Sequence, residues 1–406
     1  MIKNKVVCLS VLTAAFALVS CSRNKGISSI DTQELFKLSY GNLEKQLNLF
    51  DLSNSGQINT SLAMNDGFFY ISNGEAGKIL ELNSYGDLLS LYYNKTKSVK
   101  PDFASSADVK NSTRKAVEYP FNLPGAISVD DGQNLYVADT LPRERQEQDK
   151  DQNLLLSQVV LRFSSDGKFI DYLGQQGPSG SPFPYIKNLY TVKGGELIVE
   201  CVTNKGLVVY WFAANGYLLY TIPIDSNSVP NPYKDKAQND MFISVDGVIP
   251  DYSDKMLYLM ADYYTTTIDS ASKVQSGIDY TGTMLYPLDI KTGTYGNPLS
   301  VPPYQDTETD GFSKLTYNIP YDFLGVTDSG WLFFIIATND GFTIQMVQGN
   351  GQKILKRTIA LDPDKLLYYT FSLSSNGILT GLFVRRDDAR VDWWRTDSLI
   401  AELVKR

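Results

Sequence analysis

The 406-residue chain contains no histidine, and that bounds its chemistry before any other feature is weighed. Ser-His-Asp and Cys-His nucleophilic catalysis, imidazole general acid–base work and His-ligated zinc, copper or non-haem iron are all excluded. Three cysteines are present. Cys201 sits in the apolar run Leu197-Ile198-Val199-Glu200-Cys201-Val202, a setting that predicts a buried, inert thiol rather than a nucleophile. What remains is carboxylate chemistry and calcium binding. Asp139 and Asp262 each end an apolar strand-like run, and Asn204 and Asn339 fall at similar places. Such oxygen ligands suit calcium, while an Asp at a strand end also serves to satisfy backbone groups of a turn. The sequence has no phosphate-cradling loop, no G-x-S-x-G and no EF-hand spacing.

A second set of candidates consists of contact residues. Tyr119, Phe121, Phe183, Tyr185, Tyr233 and Tyr304 stand beside prolines, and Tyr263 and Tyr264 follow Asp262. Aromatic rings on stiffened loops suit a partner interface or carbohydrate stacking, and packing beneath their own loops is the competing use. Arg143 and Arg145 lie in a mixed-charge stretch with Glu144, Glu147, Asp149, Lys150 and Asp151, the pattern of a solvated loop tip. The net charge is −8, and no basic patch stands out. Nucleic acid and anionic lipid are therefore poor partners.

The elements that must carry these residues are short alternating runs of Tyr, Phe, Val, Ile and Leu, separated by Gly with Asn or Asp, and they read as strands and tight turns. One hairpin recurs. Ser61–Gly67 leads into Phe68–Ser72, Gly125–Gly132 into Asn134–Asp139, Leu189–Gly195 into Glu196–Glu200, Phe323–Gly330 into Trp331–Ile335, and Phe371–Gly377 into Ile378–Leu382. A looser copy runs from Phe242 to Gly247, with its turn stretched to Lys255 before Met256–Met260. A second hairpin follows most copies, as in Ile79–Leu82 turning at Gly86 into Leu88–Tyr92. Each unit is thus four antiparallel strands, A to D. Six units predict an all-β, six-bladed β-propeller, because an open-edged blade needs neighbours on both faces. The last unit lacks a clear D strand, and residues 44–50 near the N terminus are expected to supply it. The long segments are B–C connections (140–158, 263–280) and D–A connections (94–120, 174–186, 225–240, 302–318). Insertions should therefore crowd one face, and binding residues in repeat proteins collect on such faces.

Three resemblances refine this reading. Asp131-Gly132-Gln133-Asn134-Leu135-Tyr136-Val137-Ala138-Asp139, followed by Val160–Phe169, resembles an NHL repeat, and Asp66–Gly86 is a weaker copy. Overall the chain is similar to NHL-repeat-like propeller lipoproteins of spirochaetes, which implies a six-bladed fold in the cell envelope and no established activity. At the N terminus, Lys3 and Lys5 precede an apolar run too short to span a bilayer comfortably, which reads as a secretory signal. Leu18-Val19-Ser20-Cys21 resembles the lipobox of bacterial lipoproteins. That implies cleavage of residues 1–20, acylation of Cys21, a polar tether over 21–33 and a single propeller domain over 34–406. Ser22 is not the Asp that marks inner-membrane retention in enteric-type sorting, so an outer-membrane anchor is expected. Lastly, Asp139 and Asp262 are similar in placement to the carboxylates of six-bladed lactonases, which implies calcium in the central channel. The expected function is non-catalytic: a lipid-anchored propeller that holds an envelope protein or polymer on its loop-rich face, with no cofactor. A calcium-dependent lactonase-like hydrolase and a small-molecule or sugar sensor are the alternatives.

Overall fold

The computed structural model describes residues 28–49, 58–104, 113–234, 240–269, 271–272, 274–310 and 313–404. The expected leader and Cys21 lie outside them. The described chain forms a six-bladed β-propeller of mainly four-stranded antiparallel sheets. In the first three blades, strands A to D are Thr60–Asn65, Phe68–Asn73, Lys78–Leu82 and Leu88–Tyr93; Pro124–Val129, Leu135–Thr140, Gln158–Phe163 and Phe169–Gly174; and Tyr185–Val192, Glu196–Thr203, Gly206–Phe212 and Leu218–Ile224. Blade four has Met241–Pro250, Met256–Ile268 and Gln275–Asp289, with strand D broken into Thr294–Tyr295 and Leu299–Val301. Blade five has Asp322–Val326, Trp331–Thr338, Gly341–Gln348 and Ile354–Ala360. Blade six has Tyr368–Leu373, Leu379–Val384 and Ala389–Trp394.

Alternation explains how these strands build a ring. Both faces of each blade meet a neighbour, so the strands are apolar on both faces in their middles, as in Trp331–Ile336. Each seam between blades holds its own apolar cluster, running from Leu62, Phe69 and Leu382 at the blade six–one seam to Phe333, Ile344 and Trp394 at the five–six seam. The A strands stand innermost around a channel.

The missing strand of blade six comes from the N terminus, but from Gln33–Leu38 rather than from residues 44–50. Gln33–Leu38 pairs antiparallel with Ala389–Trp394 and has the required alternation: Phe36 and Leu38 are buried while Glu34 and Lys37 face out. Trp393 Nε1 donates to Gln33 Oε1 at 2.6 Å, and Trp394 Nε1 to Thr32 Oγ1 at 3.0 Å. Residues 39–47 instead fold back in a loop closed by Gly41 N–H to Leu47 O and Leu47 N–H to Ser39 O, both 3.0 Å. Leu47 and Leu49 then plug the same seam from above the sheet edge. Lys78, fully buried, fixes this loop by donating to the Leu43 carbonyl at 2.7 Å. Burial lowers its pKa to about 8, against the pull of Glu44.

Residues 28–30, expected within a free tether, also dock. Ile30 N–H donates to Thr358 O at 2.9 Å and Thr358 N–H to Ser28 O at 3.2 Å, along the outer strand of blade five. One helix, Thr396–Val404, was not anticipated. It packs Ile400 into the five–six seam below the ring.

The A–B and C–D turns are short and share one face. The other face carries the insertions: a hairpin of Glu147–Asp149 with Leu154–Leu156, the extended outer halves of Met256–Ile268 and Gln275–Asp289, and a separate two-stranded hairpin of Tyr304–Asp310 with Ser313–Ile319. The blade-four turn ends at Lys255 as expected but is shorter than the expected 248–255, because strand A runs on to Pro250. Asp246-Gly247 is a bulge within strand A, and the turn falls at 251–255.

Phe36 carries the closure into the core, with its ring edge-on to Phe69 at 5.5 Å. Gly86 makes room for it, since a Cβ there would lie 2.6 Å from the Phe36 Cβ. Phe36→Ala should cost about 3–5 kcal/mol in urea unfolding, whereas Leu43→Ala, 56% exposed, should stay within about 0.5 kcal/mol.

Candidate functional site

The inner strands line the central channel, a cavity of about 360 Å³ whose walls mix polar residues such as Asn65, Ser128, Asn188 and Ser372 with apolar and aromatic ones such as Tyr190 and Phe371. The lining runs from the A–B turns, at Asp131 and Tyr252, to the insertion-bearing end, at Lys187 and Phe323.

Charge gathers where blades three, four and five meet at this end. The bulge at Asp246 sits between two seams. On one side, Lys187 from blade three donates to the Asp246 carbonyl and stands 3.9 Å from Glu200 Oε1. Glu200 is fully buried and accepts from Asn188 Nδ2 at 2.7 Å and Tyr190 Oη at 3.4 Å. Burial raises its pKa, with Lys187 opposing. On the other side lies Asp262, almost wholly buried. It accepts a hydrogen bond from the Thr283 hydroxyl, which is itself 2.8 Å from Tyr280 Oη. Burial first, then the hydrogen bond to Asp246, push the Asp262 carboxyl up to about 7, and Asp322 is raised by burial and by Asp246 in the same way. The carboxyl of Asp262 therefore holds a proton close to neutrality and can act as a donor to Asp246.

Asp139 does something different. Its carboxylate accepts backbone N–H groups of Asn122 (3.0 and 3.2 Å) and Leu123 (2.7 Å), which anchors the chain entering blade two. Asn73 plays the matching part in blade one, exchanging hydrogen bonds with the backbone of Asn48 at 2.6 and 2.8 Å. The two Asp residues are not equivalent, as sequence suggested. Asp139 lies at the end of its strand, whereas Asp262 is inside a strand that continues to Ile268. Their side chains point to different partners in different blades. Asn204 is committed to the Gln152 and Asn153 carbonyls, at 3.1 and 3.2 Å, and Asn339 is exposed in a turn. Among the described residues, no group of three or more Asp, Glu or Cys side chains is placed to hold a metal. Cys201 is buried in the seam between blades two and three, and burial pushes its thiol well up.

The loop aromatics divide by burial. Phe121, Phe183 and Tyr263 are sealed in the core and present no ring to a ligand. Phe121 and Phe183, beside prolines, and Tyr263, whose hydroxyl donates to the Pro230 carbonyl, pin their segments to the ring. Tyr119 packs on Phe121 and Phe169, both at 4.9 Å, and burial pushes its hydroxyl up to about 12. Tyr233 sits edge-on to Tyr263 at 5.2 Å, Tyr264 to Tyr280 at 5.9 Å and Tyr304 to Tyr321 at 6.3 Å, all half-buried. Tyr185 is 51% exposed, and Arg143 and Arg145 are exposed on a single 3-10 turn. Sequence reading missed Lys187, Glu200, Asp246 and Asp322. The one available signal was Glu200, a charge inside an otherwise apolar strand.

The chain matches no known sequence family and no curated protein. Among solved structures it is similar to an ulvan lyase of a polysaccharide lyase family (9% identity, covering 89% of this chain and 95% of that one, TM-score 0.41). It is also similar to a gluconolactonase from Xanthomonas campestris (12%, 91% and 97%, 0.39) and to regucalcin, a calcium-binding protein from Agrobacterium tumefaciens (10%, 90% and 94%, 0.39). At these values the likeness extends to the propeller architecture alone.

Two predictions distinguish structural from chemical roles here. Asp139→Ala should cost about 2 kcal/mol by leaving two buried N–H groups unpaired, with the same loss in calcium and in EDTA. A loss seen only in calcium buffer would identify a metal ligand. Asp262 titrates in the opposite sense to a salt-bridged Asp. Its folded value lies above its unfolded one, so its contribution is full below the ordinary carboxyl range and is lost as pH rises to about 7. Asp262→Asn, a neutral mimic of the protonated acid, should flatten the decline in Tm between pH 5 and pH 8. An unchanged slope would assign the decline to another group.

Proposed function

We propose that the protein is a lipid-anchored binding protein of the bacterial cell envelope that holds a protein or envelope polymer on the insertion-bearing face of its propeller. The observation that carries this reading is the one-sidedness of the inserted chain. Three hairpins rise on one face of a rigid ring, while the opposite face carries short turns and the Thr396–Val404 helix, and loops displayed on a rigid frame are where recognition concentrates. The anchoring part rests on Leu18-Val19-Ser20-Cys21 behind a secretory signal, with the outer membrane as its destination. The NHL-like segments at 131–169 and 66–86 support kinship with the spirochaetal propeller lipoproteins. The cluster of Glu200, Asp246, Asp262 and Asp322 near Lys187 supports a second reading, a lactonase-like hydrolase using Asp262 as the titrating acid. Catalytic turnover of lactone substrates by purified protein, lost in Asp262→Asn, would favour it.

Photo-reactive residues placed at exposed Tyr185 and Leu367 on the insertion face should give specific adducts in intact cells. The same probes at Tyr85 and Tyr217, 83% and 66% exposed on the opposite turns, should not. Equal adduct yields from the two faces would remove the reading. Cys21→Ser should abolish incorporation of radiolabelled palmitate and release the protein from the membrane fraction.

A further inference from the structure

We propose that the two hairpins of blade four and the four–five connection form a docking surface for a basic, apolar protein segment. This inference rests on the binding reading above and deepens it. The Tyr304–Asp310/Ser313–Ile319 hairpin is a two-stranded sheet by itself, a unit of marginal stability unless something covers it. Leu315, Tyr317 and Ile319 alternate along its second strand, so all three project from one face. They are 49%, 47% and 37% exposed. The neighbouring blade-four hairpin repeats the feature at its tip, with Ile268, Val274 and Ile278 at 46%, 62% and 56% exposure. Six large apolar side chains left in water on two projections from the same face of the ring, joined by one short outer strand segment, is more than scattered surface hydrophobicity.

Charge identifies the occupant. Asp269 and Asp279 frame the first row and Asp306 the second, and Asp240 is exposed beside the base of the blade-four hairpin. None of these four takes part in an ion pair among the described residues, and Lys314 is the one described lysine on either hairpin. Acidic rims around apolar rows complement a segment that alternates Lys or Arg with Leu or Val. They oppose an anionic lipid surface, and so does the net charge of −8.

The test uses the full chain and three synthetic peptides of equal length: alternating Lys/Leu, Glu/Leu and Lys/Ser. The Lys/Leu peptide should bind at least ten-fold more tightly than either control, with affinity falling as salt rises. The triple variant Leu315→Ser/Tyr317→Ser/Ile319→Ser should weaken it ten-fold. Asp279→Asn/Asp306→Asn, which leaves the apolar rows intact, should reduce the salt dependence and so tests the idea even where the triple variant unfolds. Equal binding of the Glu/Leu peptide, absence of Lys/Leu binding, co-sedimentation with anionic vesicles, or a dimer in analytical ultracentrifugation that the triple variant abolishes would each overturn the proposal. If it falls while the Tyr185 and Leu367 adducts persist, only the assignment to these hairpins is wrong. If those adducts are also absent, the binding reading itself fails.

Discussion

A ring of sheets depends on the one place where the chain must meet itself. Here that place is the antiparallel pairing of Gln33–Leu38 with Ala389–Trp394. Every other blade is built from consecutive hairpins and can form from local contacts, but blade six joins residues separated by almost the whole sequence, at the full entropic cost of closing so long a loop. The seam that receives this strand contains Phe36, Leu38, Leu47 and Leu49 from the N-terminal segment, together with residues of blades one and six. Apolar burial there, directional hydrogen bonds from Trp393 and Trp394, and the Lys78 latch act together. Glu34 adds a contact to Arg390 at 3.3 Å, and Arg390 in turn neutralises buried Asp392 at 2.7 Å. Without closure, five seams would remain but two blade faces would be left in water.

The propeller was legible because its grammar is short-range. A Gly with Asn or Asp between alternating apolar runs marks a turn, and the turns recur six times. Long-range facts were less visible. Both 33–38 and 44–50 contain apolar residues at plausible spacing, and Phe36, Leu38, Leu47 and Leu49 all enter the same seam, but only 33–38 pairs its backbone with blade six. The choice was settled by contacts across the ring that no local pattern encodes. The Asp246-Gly247 dipeptide misled for the same reason. Its composition is that of a turn, yet Val248, Ile249 and Pro250 continue the strand because neighbouring blades bury them.

Site residues followed the same division. The proline-flanked aromatics are indeed special, but two of them, Phe121 and Phe183, serve with Tyr263 as buried anchors rather than as surface contacts. Asp139 and Asp262 have the same sequence context and opposite environments: one surrounded by backbone donors, the other set against a second carboxyl. The cluster at the channel mouth draws one residue each from several A and B strands. Residues so dispersed in sequence acquire a common chemistry only when blades three to five are laid side by side.

The rims of the blades show how the molecule avoids its own kind. Lys115–Glu118 adds a parallel strand to the outside of blade one, Gly177–Pro178 covers part of blade two, and residues 28–30 lie along blade five. Among the described residues blades three, four and six end on their own outer strands, and that of blade three carries Pro223, which offers no N–H to an incoming neighbour. A disc of radiating sheets is otherwise an assembly of open templates for intermolecular strand pairing. These small additions occupy part of those templates and leave fewer open edges for a second molecule to extend.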